Sequence, residues 1–331
     1  MKKIKKHSNK KYFLALSMSI FLLSSAIGNK FVDETLSRKK NKKINGKSVA
    51  PKDNVDEKNL KIINETNRKY KEIKEVVFND ENIKKEEVSV KTKDNINLFS
   101  TVYTQNTKRK HDWVIFVHGY ASSRNSNTSK NIVSIYLKNG FQVVSVDNRG
   151  HGKSGGNYIT MGYKDKDDIK LWVKYIKERD KNSKIALHGI SMGASTVMMA
   201  SGDIKDVYAI VEDCGYTSVW DEMKSELKYH YNLPAFPALY IANITAKIRA
   251  KTDFKKASSI NSLNKTNIPM LFIHGDKDNF VPFEMLEKNY NAHNGKKEKL
   301  IIKGAGHAQS YLLEPEKYWK KVFDFLDKYK N

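Results

Sequence analysis

Lys184-Ile185-Ala186-Leu187-His188-Gly189-Ile190-Ser191-Met192-Gly193-Ala194-Ser195-Thr196-Val197-Met198-Met199-Ala200 is the stretch that decides the fold of this chain. A short apolar strand, Lys184 to Leu187, runs into the pattern G-x-S-x-G at Gly189 to Gly193, and a small-residue helix, Met192 to Ala200, follows. A sharp turn at that junction lifts a serine Oγ above the sheet, and glycines on either side of it remove the side chains that would clash as strand becomes helix. The pentapeptide alone is common; its position between strand and helix gives it weight. A serine hydroxyl is a poor nucleophile unless a base, usually a histidine oriented by a carboxylate, takes its proton. Such a chain should therefore carry an acid and then a histidine past later strand ends.

Both are present. Strand Pro269 to Ile273 runs into His274-Gly275-Asp276-Lys277-Asp278-Asn279-Phe280-Val281-Pro282, and strand Lys299 to Ile302 into Gly304-Ala305-Gly306-His307. The candidate set is Ser191 as nucleophile, Asp278 as acid and His307 as base, with Asp276 and, more remotely, Asp213 as rival acids. The developing oxyanion needs backbone donors worth roughly 3 to 4 kcal/mol each. Met192 directly follows the nucleophile, and Tyr120 follows His118-Gly119 at the end of strand Trp113 to Val117, so their N–H groups are the candidates.

The flanking sequence repeats the strand and helix rhythm. A hairpin at Val88–Lys91 and Ile96–Tyr103 opens the folded part. Strands at Phe141–Val146 and Val207–Val211 then alternate with helices near Asn131–Asn139, Asp165–Glu178, Phe283–Tyr290 and Pro315–Lys330. Alternation of this kind predicts a mostly parallel sheet covered by helices on both faces. Residues 215–262 break the rhythm with aromatics among lysines and read as a helical lid, with Trp220, Tyr231 and Phe236 as candidate substrate contacts. Gly152-Lys153-Ser154 lacks the first glycine of a phosphate loop and the helix that should follow it, and Arg149 reads as a tie between loops. His118, His151, His188 and His274 read as hydrogen-bonded turn or strand-end residues.

Phe116-Val117-His118-Gly119, Asp147-Asn148-Arg149-Gly150-His151-Gly152-Lys153-Ser154-Gly155-Gly156, Gly189 to Gly193, Gly275-Asp276-Lys277-Asp278, Val281-Pro282 and Gly306-His307 together resemble an α/β-hydrolase. More narrowly, they resemble bacterial serine aminopeptidase-like and prolyl-oligopeptidase-like esterases, many of them exported or membrane-anchored. The resemblance spans about residues 86–331. It implies an α/β-hydrolase fold with an eight-stranded sheet, a Ser191-His307-Asp278 triad, no cofactor, and a lid after the sixth strand.

Composition narrows the function classes. In 331 residues, 39% hydrophobic content supports a sizeable core, and the single cysteine, Cys214, excludes an internal disulfide framework and cysteine-based zinc or iron–sulfur sites. No metal-ligand spacing appears among the nine histidines. The net charge of +23 is concentrated early: residues 1–50 hold 13 basic and 2 acidic side chains. That weighs against nucleic acid as a partner. Six lysines between Lys2 and Lys11 precede an uncharged run from Tyr12 to Ile27, the pattern of a signal peptide or N-terminal membrane anchor over residues 1–28. Residues 29–85 read as a basic, polar tether and 86–331 as the hydrolase domain. The expectation is an extracytoplasmic serine hydrolase, membrane-anchored or secreted, that cleaves a carboxylic ester or thioester. Ester, lipid and small-peptide substrates fit it. A peptide or amide hydrolase, or a non-catalytic surface binding module of the same shape, are the alternatives.

Overall fold

Eight strands form one sheet: β1 (Lys84–Lys91), β2 (Asn97–Thr104), β3 (Asp112–Val117), β4 (Gln142–Val146), β5 (Lys184–Ile190), β6 (Ala209–Asp213), β7 (Met270–Gly275) and β8 (Lys297–Ile302). The computed structural model describes residues 24–40 and 55–330, apart from the side chains at 230 and 231. The strand order is β1-β2-β4-β3-β5-β6-β7-β8; β2 runs antiparallel to its neighbours β1 and β4, and β3 to β8 are parallel. This is the α/β-hydrolase fold. Strands β3 to β7 are buried along most or all of their length, because helices cover both faces and no residue needs a polar outward side.

On one face lie α2 (Glu57–Phe78), α3 (Asn127–Lys138), α10 (Ser310–Leu313) and α11 (Pro315–Tyr329). α11 shows why a helix forms there: Pro315 opens it, and Tyr318, Trp319, Val322, Phe325 and Leu326 make one buried stripe. At roughly 1.5–3 kcal/mol for each large apolar side chain fully buried, that stripe is a main anchor of the face. α4 (Asp165–Arg179) and α9 (Glu284–Ala292) cover the other face, with Ile169, Trp172, Val173 and Ile176 turned inward. α5 (Met192–Ser201) is buried at every residue, so its identity comes from its place between sheet and lid. The lid comprises α6 (Val219–Tyr231), α7 (Ala238–Arg249) and α8 (Ser259–Leu263).

One expectation is corrected. Residues 29–85 are no solvated tether where they are described. A helix over 24–35, α1, packs on the lid with Val32 and Leu36 fully buried, and the segment after it bridges from Ser37 to Tyr158. Glycine is required where α1 crosses α7: a Cβ on Gly28 would lie 2.1 Å from Thr245 Oγ1. α2 packs against α3 and α10 through Ile63, Thr66, Tyr70 and Val77. The average polarity of α2 hides these residues, which share one face at seven-residue and half-heptad spacing. Trp319 Nε1 donates to Tyr70 Oη at 2.6 Å and closes the joint. Most of the run from Tyr12 to Ile27 lies outside the described residues, and among the described residues no helix is long and apolar enough to cross a membrane.

Candidate active site

Ser191 sits between β5 and α5 with φ +57° and ψ −122°, a strained turn for a residue with a Cβ. Its two glycines make the turn possible. A Cβ on Gly189 would lie 2.3 Å from the Gly193 carbonyl oxygen, and one on Gly193 would lie 2.0 Å from that of Val117. The Ser191 N–H is spent on the Asp213 carbonyl at 2.8 Å, which ties the turn to the end of β6.

The three residues picked out by spacing meet. His307 Nε2 lies 2.9 Å from Ser191 Oγ, and His307 Nδ1 lies 2.8 Å from Asp278 Oδ2. Asp278 is held on four sides: Oδ1 accepts the N–H groups of Phe280 and Val281 at 2.9 Å each, and Oδ2 also lies 3.1 Å from His274 Nε2. Burial alone would raise this carboxyl, yet the facing His307 and His274 rings hold it well below the usual carboxylate range. An ionised Asp278 fixes the His307 proton on Nδ1, which leaves Nε2 as an acceptor towards the serine hydroxyl. Asp276 is turned elsewhere, its Oδ1 accepting the Gly304 N–H at 2.6 Å. Asp213 lies behind the site, accepting from Tyr318 Oη at 3.0 Å, and burial pushes it up to about 6.

The two oxyanion candidates flank the nucleophile. Met192 is the first residue of α5, whose early N–H groups point out of the helix. Gly119 packs against Ser191, since a Cβ there would sit 3.7 Å from Oγ, and this brings Tyr120 alongside. His118 pins that loop. Its Nε2 accepts the Asn148 N–H at 3.1 Å, so Nδ1 carries the proton and donates to the Gly119 carbonyl at 2.7 Å. His188 is a satisfied core residue between Tyr136 and Tyr318, pushed down to about 3 by burial. Arg149 does tie loops: it holds Asp168 through Nε and Nη2 and Asp94 through Nη1. The Gly152–Ser154 loop is likewise structural, with a Cβ on Gly152 blocked at 2.3 Å by the Asp147 carboxylate.

Two cavities open on Ser191. One, about 430 Å³, has a mainly apolar wall drawn from α1 (Ile27, Phe31), the lid (Met223, Leu227, Leu233) and Met161. Glu222 also lines it, and burial pushes this carboxyl well above its usual range. The other, about 1190 Å³, is more polar, with Arg38, Lys39, Ser122, Ser123 and Ser126 in its wall. Phe280 lines both cavities and its ring lies 4.8 Å from that of His307. The lid contacts expected from sequence are corrected. Trp220 packs on Tyr240 with ring centroids 4.9 Å apart, Phe236 is 71% exposed, and neither lines either of these two cavities. The side chain of Tyr231 lies outside the described residues. Phe280 and the α1 residues were missed; Phe280 sits inside the loop that carries Asp278, which was the available signal.

Among the described residues, Cys214, Asp278 and His307 offer donor atoms within 4.8 Å of one another. Burial pushes the Cys214 thiol well up, and Asp278 is already committed to two rings, so this group is a poor metal cradle.

The model of the prolyl oligopeptidase family matches residues 127–331, which include the whole Ser191, Asp278 and His307 arrangement. This chain belongs to the prolyl oligopeptidase family. It is a serine hydrolase with the α/β-hydrolase fold. Among similar proteins, the uncharacterized protein YqkD of Bacillus subtilis is 32% identical over 219 residues, covering 65% of this chain and 70% of the relative. Lysophosphatidylserine lipase ABHD12 of Danio rerio is 24% identical over 241 residues, 68% of this chain, and the chain spans only 60% of that relative's length. The solved esterase Pf2001 of Pyrococcus furiosus superposes with a TM-score of 0.62 at 26% identity, over 75% of this chain and 92% of the esterase.

Proposed function

We propose that this protein hydrolyses carboxylic esters of apolar acyl groups through an acyl-enzyme at Ser191. The observation that carries the reading is the 430 Å³ apolar cavity that ends at the nucleophile, a receptacle for an acyl tail. Ser191 Oγ attacks the carbonyl carbon while His307 Nε2 takes the hydroxyl proton. The N–H groups of Met192 and Tyr120 receive the oxyanion. Collapse of the tetrahedral adduct expels the alcohol, which leaves with the proton from His307. Water then repeats the sequence on the acyl-enzyme and releases the acid. Asp278 holds the imidazole tautomer throughout.

The larger polar cavity, with Arg38 and Lys39 in its wall, suits a polar or anionic leaving group. The Danio rerio relative is named a lipase for a lysophospholipid, a molecule divided the same way into apolar tail and charged head. The lysine-rich start and the run Tyr12–Ile27 favour action outside the cytoplasm, which an alkaline phosphatase fusion to the full chain would report.

A panel of p-nitrophenyl esters from acetyl to dodecanoyl, with an aminoacyl anilide series beside it, tests the reading. Octanoyl or longer esters should exceed acetyl in kcat/KM, since each buried methylene contributes about 0.8 kcal/mol. Ser191→Ala should abolish turnover and fluorophosphonate labelling. Anilides cleaved faster than every ester would replace this reading with the peptidase one.

A further inference from the structure

α7 buries Leu239, Ala242, Asn243 and Ala246 against the molecule and leaves the opposite face apolar as well. Tyr240, Ile244 and Ile248 recur every four residues on that outer face, with Ile244 59% and Ile248 66% exposed. Phe236 extends the stripe at one end, and Leu233 and Ile27 continue it as far as the mouth of the apolar cavity, which both also line. A surface helix of a soluble protein normally turns charged residues outward at such positions.

Lysines predominate around the stripe. Among the described residues between 224 and 256, the exposed charged side chains are Lys224, Lys228, Lys247, Lys251, Lys255 and Lys256, while the exposed carboxylates on the flanking segments are Asp221 on α6 and Glu34 on α1. Asp253 is buried and paired with Lys247. α1 lies directly against α7, held by Arg249 to Asn29 and Asp33, and the sequence just before α1 is the apolar run from Tyr12 with its lysines. An apolar strip flanked mainly by lysines and contiguous with such a segment matches one surface chemistry, the anionic face of a lipid bilayer.

We propose that the outer face of α7, with Phe236, Leu233 and Ile27, docks on an anionic lipid bilayer, so that the mouth of the acyl cavity opens towards the lipid. The passage of an acyl chain from bilayer to Ser191 rests on the ester-hydrolase reading; the docking does not.

The four tryptophans supply a local probe. Trp113, Trp172 and Trp319 are buried in the hydrolase core, whereas Trp220 is on the lid, 4.9 Å from the stripe residue Tyr240. Tryptophan emission of the full chain is followed with vesicles of brominated phosphatidylcholine, alone or mixed with phosphatidylglycerol. Docking by the N-terminal segment alone would not bring Trp220 to the bromines. The expected result is quenching that is stronger with phosphatidylglycerol, absent in Trp220→Phe, and lost in the double variant Ile244→Glu, Ile248→Glu. Both substituted positions are exposed and line neither cavity, so unchanged thermal melting serves as the folding control. Equal quenching in the double variant, or none in the parent, overturns the proposal. A change in oligomeric state on gel filtration with quenching unaltered would assign the stripe to a second copy and overturn it too. Absence of ester turnover with the quenching pattern intact would instead sink only the proposed activity.

Discussion

Replacing Asp278 by Asn separates the roles of the two aspartates in the same loop. The carboxylate Oδ1 accepts two backbone N–H groups and Oδ2 faces the ring nitrogens of His307 and His274 at 2.8 and 3.1 Å. If the amide oxygen keeps the backbone contacts, the NH2 group faces His307, which must then accept at Nδ1 and carry its proton on Nε2. That proton points at Ser191 Oγ, 2.9 Å away, and the base is lost. If the amide turns over, NH2 faces two buried N–H donors, each costing roughly 1–3 kcal/mol to leave unpaired. The flipped arrangement would keep His307 Nε2 as the acceptor but strands those donors, so the first arrangement prevails and removes the acceptor the serine needs. A wrong-tautomer histidine costs about 10⁴ in kcat, or about 5.5 kcal/mol. Asp276→Asn is the control, because its amide oxygen still accepts from Gly304 and kcat should stay within about threefold. The assay is p-nitrophenyl octanoate hydrolysis with active-site titration, at neutral pH. Asp278→Asn retaining a tenth of the parental kcat, or Asp276→Asn falling lower, would refute the assignment.

Gly193→Ala places a methyl 2.0 Å from the Val117 carbonyl oxygen, so about 1–3 kcal/mol of stability and most fluorophosphonate labelling should disappear together; normal labelling would show that the turn relaxes freely. Tyr70→Ala empties a buried aromatic site and strands the Trp319 N–H, and urea titration should read a loss of about 3–5 kcal/mol. A chain begun at residue 86 lacks α2 altogether and should expose Tyr311 and Trp319 to a dye such as ANS. Asp213 is pushed up to about 6 by burial, so the folded protein keeps a proton that the unfolded chain releases near pH 4. Its contribution is therefore fully present below about pH 4 and falls away as pH rises to 6, by a few kcal/mol at about 1.4 per pH unit. The stability difference between Asp213→Asn and the parent, followed from pH 4 to 7, should move in the variant's favour; a flat difference would show that Asp213 does not titrate there.

The parts of this fold that were legible in sequence are those where one physical demand acts on consecutive residues. β3, β5 and β7 are covered on both faces, so Trp113 to Val117, Ile185 to Leu187 and Met270 to Ile273 must be apolar throughout, and their ends fall where turns need glycine. Ser191, Asp278 and His307 stood out for a related reason: each lies in the turn just past a strand end, of β5, β7 and β8, and the structure brings all three within hydrogen-bond reach. Composition averages misled elsewhere. α2 is polar by count, yet Ile63, Tyr70 and Val77 share one face, and periodicity was the measure that counted. Residue type also failed to give direction in the lid, where Trp220 and Phe236 were expected inside and the cavity is instead lined by Met223, Leu227 and Leu233.

The apolar cavity is assembled from segments that do not neighbour one another in the chain, namely α1, the lid and the loop carrying Phe280. The hydrolytic residues need only the last of these, whose Phe280 and Val281 N–H groups hold Asp278; the sheet ends place Ser191 and His307, and the His118–Asn148 contacts hold the loop that carries Tyr120. Chemistry and selectivity are thus mechanically separable. Arg249→Ala should demonstrate this. It removes the guanidinium that grips Asn29 and Asp33, loosens α1 from α7, and opens the cavity wall at Ile27 and Phe31. The expected outcome is a rise in KM for octanoyl esters with kcat for acetyl esters unchanged, since the contacts α1 supplies bind ground state and transition state of a long tail alike. An equal fall in kcat for both esters would mean that α1 also sets the geometry at Ser191, through the hydrogen bond from Tyr120 Oη to the Thr35 carbonyl at 2.7 Å.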